Sequence, residues 1–175
     1  MSDLKSLVRI VEGFPNREVS FKDISSVLAD GPSLRRLIDE MVTTLEGVEV
    51  DIVVGPEARG FLVGMPLAYA LGAGFVPARR PGKLPPPTRA FTYSLEYGVG
   101  VLEIYRHAIK PGMKVAIVDD LLATGGTVQA VASIIEALGG TVVACCFAIE
   151  LLGLGGRELL TKYDVKSVVQ FQPGE

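Results

Sequence analysis

Two adjacent carboxylates precede a small, glycine-containing turn within residues 115–127. Residues 115–118 are apolar and largely β-branched, as in a buried strand, and the acidic pair, Asp119 and Asp120, follows at once. The glycine turn comes next and consists of Ala123, Thr124, Gly125, Gly126 and Thr127. It leads into residues 128–138, whose apolar spacing predicts a helix. Free N–H groups at a helix start suit a phosphate, whereas carboxylates suit sugar hydroxyls or a hydrated Mg²⁺. The stretch therefore fits binding of a phosphorylated ribose, and the alternative is a strand that ends in solvated aspartates before an ordinary glycine-containing turn.

Strand and helix patterns alternate from residue 50 onward, which predicts an α/β fold with a doubly wound parallel sheet. The predicted strands cover residues 50–54, 75–78, 115–118, 141–149 and 165–171, with a last short helix over 157–162. In such a sheet, ligands bind beyond the carboxyl ends of strands, where loops meet helix N-termini. The acidic pair and the glycine turn are predicted to lie at that edge.

The N-terminal residues 1–45 lack this alternation and are predicted to form a short cap segment of a single domain, residues 1–175. Apolar spacing predicts an amphipathic helix over 3–12, and residues 16–28 are expected to be irregular. A clear apolar stripe predicts a helix over 34–45, with Ser33 as its N-cap.

Two further segments are predicted to reach the same edge of the sheet. The loop 55–60 carries Arg59. The spacing of its first and last glycines resembles that of a phosphate-binding P-loop, but Phe61 and Leu62 stand where a P-loop has Lys and Ser/Thr. The other is residues 79–107, in which four prolines exclude a core element and alternation predicts a hairpin turning at residues 98–100. A long basic excursion beside a polyanionic ligand is predicted to be a flexible hairpin lid.

Composition fits a cytoplasmic protein of 175 residues with a net charge of −3, which argues against a general nucleic-acid binder. Cys145 and Cys146 are neighbours in a strand-like run and are predicted to point to opposite faces, which argues against an ordinary mutual disulfide. No signal peptide is recognisable, which also favours a reducing cytoplasm. The uncharged stretch 61–78 has nearly the length of a membrane span, but its glycines and prolines divide it into a helix and a strand.

The sequence from Asp119 to Thr127, Asp-Asp-Leu-Leu-Ala-Thr-Gly-Gly-Thr, resembles the phosphoribosyl pyrophosphate (PRPP) signature of type I phosphoribosyltransferases. The resemblance covers nearly the whole chain, and Tyr-Ser-Leu-Glu-Tyr-Gly at residues 93–98 is similar to the adenine enzymes of that family. The family implies a purine-salvage transfer of the 5-phosphoribosyl group from PRPP to adenine, which gives AMP and pyrophosphate. It also implies Mg²⁺ as cofactor and a homodimer.

The resemblance implies a role for each matching residue. The glycine turn holds the 5′-phosphate, and the acidic pair holds the ribose and contacts substrate-held Mg²⁺ through water. The implied pyrophosphate-binding residues are Arg59, Arg79, Arg80 and Lys83, and the implied adenine-binding residues are Ser20, Phe21, Lys22 and Leu151. The implied catalytic residues are Glu96, Arg59, Asp119 and Asp120, with Glu96 accepting a proton from adenine and Tyr97 covering the site from the lid. Arg79 is expected to reach the neighbouring subunit's site, and the Glu57–Ala58 peptide bond to be cis.

Three positions depart from the family pattern: Ser20, Lys22 and Pro81. Two alternatives therefore stay open. A phosphoribosyltransferase for hypoxanthine, guanine or xanthine would keep the fold but need a donor for a carbonyl oxygen, and Lys162 and Lys166 stand in the wrong context. A non-catalytic PRPP-sensing regulator would need a DNA-binding segment, and residues 1–45 show neither a basic patch nor a helix-turn-helix.

Overall fold

The computed structural model describes residues 3–17, 19–95 and 98–175. In chain order, its elements are α1 (Leu4–Leu7), β1 (Arg9–Glu12), β2 (Ser20–Asp23), α2 (Ser25–Ala29), α3 (Gly31–Thr44), β3 (Ile52–Pro56), α4 (Arg59–Leu71), β4 (Gly74–Ala78), β5 (Thr88–Leu95), β6 (Gly98–Tyr105), β7 (Lys114–Leu122), α5 (Gly126–Ala137), β8 (Thr141–Leu151), α6 (Gly156–Leu159) and β9 (Val165–Phe171).

Five parallel strands form the central sheet in the order β4-β3-β7-β8-β9, which confirms the predicted parallel sheet. The chain leaves β3 toward the β4 edge and leaves β7 toward β8, in the opposite direction. The carboxyl ends of β3 and β7 therefore flank the point where strand order reverses, which is where open α/β sheets bind ligands.

Both faces of the sheet are covered, which explains the continuous apolar run in β7. Ala116 and Val118 belong to the core beneath α3 and α4, whereas Val115 and Ile117 belong to the core beneath α5. Cys145 and Cys146 divide in the same way and are both free and buried. The predicted opposite orientation of the two thiols is confirmed.

The N-terminal segment is more regular than predicted. The helix predicted over 3–12 ends at Leu7, because Val8 is extended and β1 then pairs with β2 in an antiparallel ladder. Residues 16–28, expected to be irregular, contain β2 and most of α2. The secondary structure of this segment is determined by the pairing of β1 with β2, and apolar spacing within a single segment does not predict such pairing.

Several element ends also differ from the prediction. The N-cap of α3 is Asp30 rather than Ser33, and the Asp30 side chain accepts a hydrogen bond from the Ser33 backbone N at 3.0 Å. Strand β7 continues to Leu122, so the acidic pair lies within the strand rather than after it. Helix α6 covers Gly156–Leu159 instead of 157–162.

The predicted hairpin in residues 79–107 is present as β5 and β6. Its strands are longer than predicted, and pairing runs from Thr88 with Tyr105 to Leu95 with Gly98. The turn predicted at 98–100 is therefore wrong, because these residues are paired strand residues. The stretch 61–78 forms most of α4 together with β4, and no helix of the described ranges is long and apolar enough to span a membrane.

Candidate active site

The glycine turn connects the end of β7 to the start of α5. Gly125 caps α5 with φ of +83°, a left-handed conformation that favours glycine, and α5 begins at Gly126. A Cβ atom on Gly125 would also lie 3.1 Å from the carbonyl oxygen of Gly156. The first N–H groups of α5 have no partner within the helix, so this turn is built to receive an anion.

An open cleft of about 570 Å³ lies at the carboxyl ends of β3 and β7. Its lining consists of Glu57, Ala58, Arg59, residues 119–129 and Leu159. The cleft therefore brings together Arg59, the acidic pair and the whole glycine turn, as the sequence predicts.

The acidic pair lies at the floor of this cleft, with Asp120 buried and Asp119 half-buried. Asp120 is 3% exposed, and its Oδ2 accepts no hydrogen bond from the described residues, although Arg59 Nε lies 3.0 Å away as an ion-pair partner. Asp119 Oδ1 accepts a hydrogen bond from the Asp120 backbone N at 2.9 Å. Burial raises the pKa of both carboxyls; the charge of Asp120 raises the pKa of Asp119 further, whereas Arg59 opposes the rise at Asp120. A buried acceptor without a donor is costly, and a ligand hydroxyl or a hydrated cation would satisfy it.

Glu57, which the sequence analysis did not single out, organises the arginines beside the cleft. Its Oε2 accepts a hydrogen bond from Arg79 Nε at 2.9 Å, and its Oε1 accepts one from Arg80 Nε at 2.6 Å. The hydrogen bond from Arg80 is the main cause that lowers the pKa of Glu57. The Glu57–Ala58 peptide bond is cis, as the resemblance implied. Lys83 contributes its carbonyl oxygen, which accepts a hydrogen bond from Arg79 Nη1 at 3.2 Å.

Glu103 is a second residue that sequence reasoning missed. It is 7% exposed on β6, and its carboxylate accepts hydrogen bonds from the Gly82 backbone N at 2.7 Å and from Thr88 Oγ1 at 2.8 Å. Its backbone also pairs with that of Arg79. Glu103 therefore anchors the start of the hairpin segment next to the arginines.

A second, smaller pocket of about 280 Å³ shares Arg59 with the cleft. Its other lining residues are Arg9, Val11, Phe14, Phe21, Asp23, Ile24, Ser25, Leu28 and Leu62. Phe21 packs edge-on against Phe14 with ring centroids 5.3 Å apart, and the Arg59 guanidinium lies 5.2 Å from the centre of the Phe21 ring. An apolar pocket with an aromatic face and a planar cation suits a flat, polar-edged ring.

The other predicted adenine-binding residues do not line this pocket. Side chains alternate along β2, so Phe21 and Asp23 face the pocket while Ser20 and Lys22 are on the other face. Lys22 is 3% exposed and donates hydrogen bonds to Ser20 Oγ and to the Glu175 backbone oxygen. Leu151 packs against the core at the end of β8. The predicted lid residues at positions 96 and 97 lie outside the described residues.

Known proteins with the same architecture identify the family. The family model of the phosphoribosyl transferase domain matches residues 24–172. The adenine phosphoribosyltransferase of Alkaliphilus oremlandii is 56% identical over 170 residues, 97% of this chain and 99% of that protein. The crystal structure of adenine phosphoribosyltransferase from Thermoanaerobacter pseudethanolicus is 48% identical with a TM-score of 0.94, over 96% of this chain and 98% of that one. The crystal structure of the Saccharomyces cerevisiae enzyme shows 38% sequence identity and a TM-score of 0.90, and the match covers 94% of this chain and 96% of that one.

The chain therefore belongs to the phosphoribosyltransferase family, and within it to the adenine phosphoribosyltransferases. The resemblance drawn from the PRPP signature and from the string at residues 93–98 is confirmed.

Proposed function

We propose that the protein transfers the 5-phosphoribosyl group of PRPP to adenine and releases AMP and pyrophosphate, a purine-salvage reaction. The observation that carries this proposal is one cleft in which a helix start fit for a phosphate lies beside the buried carboxylate of Asp120, whose Oδ2 accepts no hydrogen bond from the described residues. The yeast relative was solved in complex with an imino-altritol bisphosphate and adenine. A ligand with phosphates and hydroxyls and an adenine base is therefore the combination that this cleft and its neighbouring pocket suit.

In the proposed complex, PRPP is held at both ends. Backbone N–H groups of the glycine turn bind the 5′-phosphate, with the positive end of α5 behind them. The acidic pair accepts hydrogen bonds from the ribose hydroxyls, which supplies the donor that Asp120 Oδ2 lacks. Arg59, Arg79, Arg80 and Lys83 bind the pyrophosphate. The hydrogen bond from Arg80 to Glu57 supports this role for Arg80, because Glu57 lines the cleft and keeps the Arg80 guanidinium next to it.

The donor set also fits Mg²⁺ held mainly by the substrate. Within residues 3–17, 19–95 and 98–175, no group of three or more His, Cys, Asp or Glu side chains could hold a metal ion. The acidic pair offers oxygen atoms only, and Mg²⁺ characteristically combines few carboxylates with phosphate oxygens and water. When bound, Mg²⁺ would neutralise charge on the pyrophosphate.

The proposed chemistry is attack of adenine N9 on ribose C1′ while pyrophosphate leaves from the opposite face, with inversion at C1′. The transition state resembles an oxocarbenium ion, as in glycoside cleavage. Negative charge on the acidic pair favours the cationic ribose, and the arginines stabilise the negative charge that grows on the leaving group. Adenine must lose a proton as the new bond forms, and Glu96 is its proposed acceptor on the basis of the resemblance alone.

The proposed adenine site is the pocket around Phe21, with the base stacked on this ring beside Arg59. The departures from the family at Ser20 and Lys22 leave this lining unchanged, because neither side chain contributes to it. The proposed contacts of Ser20 and Lys22 with adenine are accordingly made mainly by their backbone groups. Leu151 stays a prediction, since it does not line the pocket in this structure.

We further propose a homodimer formed through α4. Leu62, Met65 and Tyr69 recur on one face of this helix and are 51%, 56% and 88% exposed. Such an apolar stripe is typical of a surface covered by a partner. The Arg79 guanidinium lies 5.8 Å from the ring of Phe61 on the same helix. Arg79 therefore lies beside the helix proposed to form the interface, and its reach into the neighbouring site remains a prediction from the resemblance. Sedimentation of Met65→Glu against wild type tests this interface. A cytoplasmic location remains a proposal that rests on the two free cysteines.

The function is tested by comparing nucleotide formation from PRPP and Mg²⁺ with adenine, hypoxanthine, guanine and xanthine in parallel. We expect AMP formation, with kcat/KM for the other bases lower by at least about 100-fold. A preference for a 6-oxopurine would favour the alternative substrate class. PRPP binding without turnover on any base would favour the regulator.

A further inference from the structure

Glu150 is a buried carboxylate that the proposed mechanism does not use. It lies on β8, is 2% exposed and is not part of the cleft lining. Its Oε1 accepts a hydrogen bond from Arg157 Nε at 2.8 Å, and its Oε2 accepts one from Arg157 Nη2 at 2.6 Å. Ser167 Oγ and Gln170 Nε2 also donate to Oε2, at 2.6 Å and 3.0 Å. These contacts, with Arg157 first, lower the pKa of Glu150 to about 2, so the group is charged at all relevant pH values.

Arg157 connects three elements through this ion pair. It belongs to α6, it pairs in bidentate fashion with Glu150 on β8, and its Nη1 donates a hydrogen bond to the Val165 carbonyl oxygen of β9 at 2.9 Å. A planar guanidinium with several fixed donors suits such a junction, whereas a single ammonium group cannot reproduce it. The junction holds the short helix α6 at a fixed position above the sheet.

Helix α6 packs backbone to backbone against the glycine turn. A Cβ atom on Gly156 would lie 2.2 Å from the carbonyl oxygen of Ala123, and one on Gly125 would lie 3.1 Å from the carbonyl oxygen of Gly156. Neither contact passes through a flexible side chain that could absorb a shift. Any displacement of α6 is therefore transmitted to the two residues of the turn that it contacts.

We propose that the Glu150–Arg157 ion pair is a positioning pair for the phosphate-binding turn, which acts by fixing Gly156 against Ala123 and Gly125. This inference rests on the proposed function, in which that turn binds the 5′-phosphate. This ion pair, in which Glu150 is buried and the Arg157 side chain is 44% exposed, is weak evidence for stabilisation, because apolar groups of similar volume often serve stability as well. What apolar groups cannot supply is the defined geometry that places α6, and phosphate binding depends on that geometry.

The test uses the full-length protein with the substitutions Arg157→Lys and Gly156→Ala. Arg157→Lys keeps the charge next to Glu150 but loses the bidentate pair and the bond to β9. Gly156→Ala keeps both side chains of the ion pair and forces the contact with Ala123 to open. Lys162→Met is the matched control, because it removes the 2.7 Å ion pair with Glu136 from the same part of the chain without any contact to the turn.

Calorimetric titrations with AMP and with Mg²⁺-pyrophosphate give the readouts, together with the thermal unfolding midpoint of each variant. We expect AMP affinity to fall by about 10- to 100-fold in both variants, while pyrophosphate affinity stays within about twofold and the control binds both as wild type does. Unchanged AMP affinity in folded Arg157→Lys would overturn the inference, because the ion pair would then not position the turn, and unchanged affinity in folded Gly156→Ala would overturn the contact through which the pair is proposed to act. An equal loss of both affinities would also overturn it, since it would indicate a general structural role. Failure of wild type to bind AMP would instead refute the proposed function.

Discussion

Asp119 offers a substitution in which stability and activity should change in opposite directions. Asp119→Asn removes one negative charge from the half-buried member of the acidic pair while keeping the shape of the side chain. The amide oxygen can still accept the hydrogen bond from the Asp120 backbone N, which is 2.9 Å long in the wild-type protein. The substitution therefore changes charge and acceptor strength at the cleft floor with little effect on packing.

Two magnitudes follow from the environment of this side chain. Burial and the adjacent Asp120 raise the pKa of Asp119 well above its ordinary value of 3.8, so the charged form costs folding free energy at neutral pH. Removal of this charge should raise the free energy of unfolding by about 0.5–2 kcal/mol, the usual range for a stabilising substitution at a site where function has a cost in stability. The lost charged hydrogen bond to ribose should lower kcat/KM for PRPP by about 30- to 150-fold, which corresponds to about 2–3 kcal/mol.

The pH dependence gives the sign of the stability effect. With a raised pKa in the folded state, wild type binds more protons folded than unfolded, so its stability falls as pH rises from 3.8 through the raised pKa. The gain from Asp119→Asn should therefore be small at about pH 4 and larger at about pH 7.5. Urea unfolding at both pH values and steady-state kinetics with PRPP measure these effects, with Asp39→Asn on the exposed face of α3 as control. A variant that is less stable than wild type at neutral pH, or that keeps its kcat/KM, would refute the reasoning.

Three further outcomes are expected. Gly125→Val should weaken AMP binding by at least about 10-fold, because a β-branched residue resists the φ of +83° at a cost of about 1–2 kcal/mol and crowds α6; calorimetry with near-normal AMP affinity would contradict it. Glu96→Leu should lower kcat by about 10²- to 10⁴-fold with little change in KM for PRPP, and Glu96→Gln should keep more activity. If kcat of the Leu variant stays within about threefold of wild type while chemistry is rate-limiting, Glu96 is an ordinary surface charge and not the proton acceptor. Arg79→Ala should be inactive alone but regain activity when mixed with a variant neutralised at both members of the acidic pair; mixed dimers with confirmed subunit exchange and no activity would exclude a cross-subunit role.

The acidic pair and the glycine turn could be predicted because they are contiguous in sequence. A strand, two carboxylates and a helix start follow one another within residues 115–127, so the sequence alone places them at one edge of the sheet. The same holds for the parallel sheet itself, whose central strands β7 and β8 are mostly apolar on both faces. Strand β9 was predicted with the same bounds as observed.

The supporting residues could not be predicted, because their partners are distant in sequence. Glu57 pairs with arginines more than twenty positions away, and Gly156 matters only through its contact with Ala123. An acidic residue in a loop expected to bind pyrophosphate was a usable signal for Glu57, since it makes sense only with basic partners. The first two strands were not predicted for a related reason. Apolar spacing within one segment predicts a helix, whereas β1 exists because it pairs with the following strand, β2.

The most direct test of the site assignment is a crystal structure of the protein with AMP bound. We expect the 5′-phosphate on the backbone N–H groups of the glycine turn and ribose hydroxyls at about 2.6–3.2 Å from carboxylate oxygens of the acidic pair. The base should lie against Phe21 beside Arg59. AMP with its phosphate on Arg79 and Arg80, or with its ribose away from the acidic pair, would contradict the proposed site.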